Sequence, residues 1–219
     1  MLDLLIQGGR VVTPAGAGDW DVGIAGEKIV SVSFPGVLAV EAARVIDARG
    51  KIVVPGGIET HAHAVANVQP GARTLVSGVP NAGPLEHSLG AIWGGTTTVI
   101  DFAPVPHAGD LAQGIHDYLA PWRGQAYTDY STHCIYTNRT PPDAIARYHE
   151  LPEAGFPSVK TFTTDIRPPE GRQTSLTPIG KIDTGRLEDL MRQVARHGGV
   201  VAVHGEDDVL VMYNYLLAQ

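Results

Sequence analysis

Four positions combine residue type and spacing in a way that supports chemistry. His61 and His63 are separated by one residue, just past the apolar run IVVPGGIET. In an extended chain residues i and i+2 point to the same side, so the two imidazoles project together. Neutral imidazole is a common ligand for zinc and similar divalent ions. The chain holds nine histidines, so one such pair also arises by accident, and spacing alone leaves both readings open. His204 ends the run VVAVH. It adds a third imidazole at a strand end, and three around one mouth make a divalent site. Taken singly, His204 reads as a histidine bonded to backbone.

Lys160 sits in the middle of SVKTF. A charged ammonium is costly to bury there. The side chain can snorkel, pair with an acid, or react with carbon dioxide to give a carbamate whose two oxygens bridge two metals. Burial favours the neutral amine that this reaction needs; from the residues alone an ion pair is the simpler reading. Asp101 closes TTTVID and is expected at the same mouth, either as an outer acceptor orienting a ligand histidine or as a cap of the next turn. His133, within STHCIY, is read as structural. His87, His107, His116, His149 and His197 fall on helices or loops without convergent partners and are read as solvated. A Pro-rich stretch, TDIRPPEGRQTSLTPIGKI (164–182), follows the Lys160 strand. Arg167 and Arg172 on it can meet a substrate carboxylate or carbonyl, or remain solvated loop charges.

The elements that carry these residues change character along the chain. Up to about residue 50, short runs rich in Val, Ile and Leu (Leu2 to Ile6, Arg10 to Thr13, Asp21 to Ala25, Lys28 to Ser33, Arg44 to Asp47) are punctuated by Gly and Pro, the pattern of a small β-unit. From Lys51 onward strand and helix patterns alternate. Ile52 to Pro55 runs into Ile58 to His63. Helices are expected over Pro84 to Trp93, Asp110 to Trp122, Pro142 to Glu153, Thr184 to His197 and from Asp207 on, with strands over Thr96 to Phe102, Tyr127 to Tyr136, Ser158 to Phe162 and Val200 to His204. The expected domains are therefore 1–50, a β-sandwich portion, and 51–219, an α/β unit of about five βα repeats. Such alternation implies a parallel sheet with right-handed crossovers. It fits an open doubly wound sheet or an incomplete (β/α)8 TIM-like barrel. No Gly-rich phosphate-binding fingerprint follows the first strand, which speaks against dinucleotide binding.

Composition narrows the partners. The 219 residues carry a net charge of -7 and no long Lys/Arg run, against nucleic-acid or anionic-membrane binding through bulk charge. No apolar run approaches the roughly 20 residues of a membrane helix. The start has no basic region or long apolar stretch, and a single cysteine, Cys134, cannot form an internal disulfide. A cytoplasmic protein is expected.

Together, VIDARGKIVVPGGIETHAH (45–63), GGTTTVIDF (94–102), GFPSVKTF (155–162) and VAVHGED (201–207) resemble the cyclic amidohydrolase family of dihydropyrimidinases, hydantoinases, allantoinases and dihydroorotases. The resemblance spans essentially the whole chain and implies the barrel together with a small β-sandwich. It implies two divalent metal ions, zinc by preference. His61 and His63 would hold one, a carboxylated Lys160 would bridge both, and His204 would bind the second. The implied reaction is hydrolysis of a cyclic amide of hydantoin or dihydropyrimidine type by a hydroxide held between metals about 4 Å apart.

The pattern departs from the family in two respects. A further histidine ligand and the proton-shuttling aspartate belong to later strands, beyond Gln219, so no catalytic acid or base is assigned within the chain. Five strands expose two sheet edges, and the segment by itself is expected to be inactive unless a second polypeptide completes the barrel. The family's usual tyrosine five residues after the lysine is replaced by Asp165, and AVANV after His63 is an unusual continuation, which leaves the ring identity open. A homo-oligomer is expected. The competing readings are a non-catalytic scaffold relative and an inactive fragment; retention of the ligands favours the enzyme lineage.

Overall fold

Residues 1–38, 41–68, 82–164 and 180–217 are described by a computed structural model. The chain divides into two units, Met1–Gly56 and Gly57–Gln219. One long strand organises the first. β1 (Leu2–Thr13) pairs antiparallel with β2 (Gly16–Ala25), which pairs with β3 (Lys28–Ser33). β4 (Ala42–Asp47) pairs parallel with β1 over Leu2 to Gln7, and the two-residue β5 (Ile52–Val53) pairs with Arg10 and Val11. The two strands expected on either side of Gly8-Gly9 are thus one. Gly8 has φ +73°, the pairing register shifts between Ile6 and Gly9, and Gly8 N donates to the buried Asp21 carboxylate at 2.8 Å. The glycines make a bulge, not a turn. Ile52–Val53 belongs to this sheet as well, where the sequence suggests a run-in to the His61 segment.

The second unit alternates as expected. Its strands are β6 (Gly57–Glu59), β7 (Thr96–Pro104), β8 (Asp129–Ile135), β9 (Ser158–Phe162) and β10 (Val200–His204). Its helices are α1 (Pro84–Trp93), α2 (Leu111–Tyr118), α3 (Pro142–Ala146), α4 (Glu150–Glu153), α5 (Thr184–Arg196) and α6 (Asp208–Leu217). The sheet order is β10-β9-β8-β7-β6, with every neighbouring pair parallel. Strand order follows chain order without reversal. A doubly wound sheet reverses at its switch point; a curled, singly wound sheet is the progression of a (β/α)8 barrel, and this is five strands of one.

Local chemistry sets the helix ends. Asp110 and Asp183 cap α2 and α5 by accepting from Gln113 N and Arg186 N, both at 2.9 Å. α2 stops at Tyr118, short of the expected Trp122, because Pro121 has no N–H with which to continue the ladder; Ala120–Trp122 forms a 3-10 turn instead.

Strand parity divides the sheet into two faces. Val99, Ala103, Cys134, Tyr136 and Val159 pack with helix residues such as Leu111, Ile115, Tyr148, Leu151 and Leu190 in the main core. Phe102, Ile135 and Phe162 form a separate small cluster. The alternation follows from the period of two along each strand: Val159 and Thr161 face the helices, whereas Lys160 and Phe162 face the opposite, inner side.

Candidate functional site

The inner face gathers most of the residues singled out by sequence. In register, Phe102 lies beside His133, Ile135 beside Lys160, Lys160 beside Ala202, and Phe162 beside His204. The segment leaving β6 carries His61 and His63, held by Ala62 N bonding to Ile100 O at 3.2 Å and by His61 N donating to Glu59 Oε1 at 2.7 Å.

Phe102 is the centre of the cluster. Its ring centroid lies 4.8 Å from that of His61, 4.7 Å from that of His63, where the rings stack, and 5.3 Å from that of His133. The His61 and His63 rings stand 5.4 Å apart. Lys160 Nζ lies 5.5 Å from the Phe102 centroid and 5.2 Å from that of Phe162, and the His204 ring is 5.8 Å from Phe162. His61, His63, Lys160 and His204 are therefore brought together around two aromatic rings. Sequence reasoning missed Phe102 and Phe162. The signal available was parity: Phe162 is two residues from Lys160 on the same face.

The electrostatics suit ligation. Lys160 is 6% exposed, and burial lowers its pKa toward the neutral amine. Among the described residues no carboxylate pairs with it; two aromatic faces stand in that place. Burial, then the nearby lysine, lowers His61; burial, then His61 and Lys160, lowers His63. Both imidazoles are thus held toward the neutral form that binds metals. His204 Nε2 bonds to Glu206 Oε2 at 2.8 Å. A carboxylate accepts, so Nε2 carries the hydrogen of this bond and Nδ1 is left outside it. Among the described residues no three His, Cys, Asp or Glu side chains form a metal-holding group by themselves; the cluster is two imidazoles and a lysine, with a third imidazole beside it.

Asp101 is a correction. Parity turns it to the helix face, away from the mouth. It is fully buried and accepts from Val65 N at 2.9 Å, its neighbour Phe102 N at 2.7 Å and Trp122 Nε1 at 3.0 Å, not from an imidazole. It anchors the segment after His63 through Val65, and burial raises its pKa despite these bonds. Asp165, Arg167 and Arg172 lie outside the described residues.

No protein-family model matches the chain. A D-hydantoinase of Streptomyces coelicolor is 28% identical over 210 residues, covering 94% of this chain and 41% of its own length. An allantoinase of Bacillus licheniformis is 28% identical over 207 residues, covering 94% and 42%. The crystal structure of dihydropyrimidinase from Brevibacillus agri superposes with a TM-score of 0.77 at 26% identity, over 98% of this chain and 42% of that one. The chain is related to the cyclic amidohydrolases. It spans less than half the length of these cyclic amidohydrolase relatives. Among its described residues no helix is long and apolar enough to cross a membrane.

Proposed function

We propose that the inner face serves metal-dependent hydrolysis of a cyclic amide, with His61, His63, Lys160 and His204 as ligands. The observation that carries this reading is a buried lysine that has no carboxylate partner among the described residues and shares the Phe102 ring with two imidazoles held toward neutrality. The donor set fits two divalent ions once Lys160 Nζ adds to carbon dioxide: an N–C bond forms, one proton leaves, and an anionic carbamate replaces the amine. Zinc is the metal that these imidazole and carboxylate-like donors favour. Bound there, the metals would supply Lewis acidity toward the ring carbonyl and an acidified water.

The chain's own residues do the rest. Phe102 buttresses both imidazoles of the pair, and Glu206 orients the His204 ring through its Nε2. Phe102, Ile135 and Phe162 exclude water from the base of the site, which strengthens its electrostatic interactions. Relatives named for hydantoin, allantoin and dihydropyrimidine rings support a cyclic amide of that class as substrate.

Zinc binding by the full chain, followed by calorimetry and metal analysis, tests the site. Wild-type protein is expected to retain zinc and His61→Ala to lose it. With isotopically labelled bicarbonate, NMR is expected to show a carbamate carbon that disappears in Lys160→Met. Failure of the wild-type chain to retain any divalent metal would overturn the proposal.

A further inference from the structure

Sequence gives His133 no role beyond structure, yet its ring makes two bonds that cross the inner face. Its Nε2 lies 3.1 Å from Thr60 O, 73 positions away in sequence, and its Nδ1 lies 2.8 Å from Ser158 Oγ. Thr60 immediately precedes His61. Ser158 opens β9 and shares a face with Lys160, two residues on. β8 is not a neighbour of β6; β7 lies between them, and the His133 ring reaches past Phe102, 5.3 Å away, to the far side. One imidazole thereby joins the strand-ends that carry the histidine pair and the lysine.

The chemistry of the partners fixes the tautomer. A carbonyl oxygen only accepts, so Nε2 must carry the hydrogen that bonds Thr60 O. Nδ1 is then the acceptor, and the Ser158 hydroxyl donates to it. Few other side chains supply a donor and an acceptor at this spacing on a rigid ring.

We infer that His133 is a positioning residue that sets the backbone of the His61–His63 segment through Thr60, and so tunes how tightly that pair binds a divalent ion. This rests on the metal-site reading above. Other features of the segment leave that carbonyl to His133: Glu59 Oε1 takes the N–H of the same peptide, from His61 N, Ala62 N–Ile100 O holds the backbone one residue beyond His61, and Asp101 reaches only to Val65. The carbonyl before His61 has its side-chain partner in His133.

Side-chain amides separate the two bonds. The amide of glutamine overlays the Nε2 end of a histidine and can donate to Thr60 O; the amide of asparagine overlays the Nδ1 end and reaches only Ser158. Zinc or cobalt(II) titrations of the full chain are expected to show about 10- to 100-fold weaker binding in His133→Phe and His133→Asn, with substantial recovery in His133→Gln. The cobalt(II) absorption spectrum should change in the first two and return in the third. A second measurement needs no metal: the Ala62 amide is expected to exchange with solvent about tenfold faster in His133→Phe and His133→Asn than in wild type and His133→Gln. Should His133→Phe fail to fold, the asparagine–glutamine contrast still decides. Equal exchange and equal affinity across the variants would overturn the inference. Absence of metal binding by wild type, with the exchange pattern intact, would overturn the metal reading and the affinity role while leaving the backbone link established.

Discussion

The two faces of the parallel sheet differ although the same strands build them. On the helix side, Val159, Cys134, Ala103, Tyr136 and Trp122 are buried at 0% exposure within one continuous core. On the inner side a buried amine and several imidazoles sit among a few aromatic rings, and among the described residues Phe102, Ile135 and Phe162 form a small apolar cluster. Adjacent residues belong to opposite regimes: Val159 stabilises, and Lys160, one position on, costs stability to bury. The lesson is that parity along a strand, more than position in the chain, separates what holds the fold from what is available for chemistry.

Substitutions on the two faces should therefore differ in size and sign. The largest effect is expected at Trp122→Ala on the helix side, a loss of about 3–5 kcal/mol in chemical denaturation. A loss no greater than that of an exposed substitution would erase the distinction. Asp101→Ala comes next. It leaves Val65 N and Trp122 Nε1 without their acceptor, at about 1–3 kcal/mol.

The same carboxyl gives a pH dependence whose sign is fixed. Burial raises the Asp101 pKa above its ordinary 3.8. Its contribution to stability is full below that ordinary value and is lost as pH rises through the elevated folded one. Wild-type and Asp101→Asn stabilities measured across this window should diverge in slope, and parallel curves would argue against the shift. The smallest effect is on the inner face and runs the other way. Lys160→Met should raise stability by about 1 kcal/mol, since it removes a costly buried amine, while metal uptake is lost. A destabilisation comparable to Trp122→Ala would make the inner face a core like the other.

Much of this was legible in sequence because local and global signals agree. Helix α1 begins at Pro84 and stops before Gly94-Gly95, and β9 and β10 fall where their apolar runs predict. Prolines account for two departures. Pro121 truncates α2, and Pro152 is accommodated in the first turn of the separate helix α4, splitting the helix expected over Pro142 to Glu153. The Asp101 misassignment has a different cause. TTTVIDF is a strand covered on both faces, so it lacks the apolar–polar alternation that reveals which side is which. His133 reads from sequence only as structural because its partners lie 25 and 73 positions away, and no local pattern encodes them.

Trp122 has a consequence beyond packing. Its indole is fully buried, stacks on Tyr130 at 5.2 Å and is hydrogen-bonded to the carboxylate that grips Val65, two residues past His63. The chain thus contains an intrinsic fluorophore wired to the segment bearing the paired imidazoles. With Trp20 and Trp93 replaced by Phe, its emission should remain blue-shifted and shielded from soluble quenchers while that segment is seated, so a shift in its colour would report the loosening of the site in real time, with no label attached.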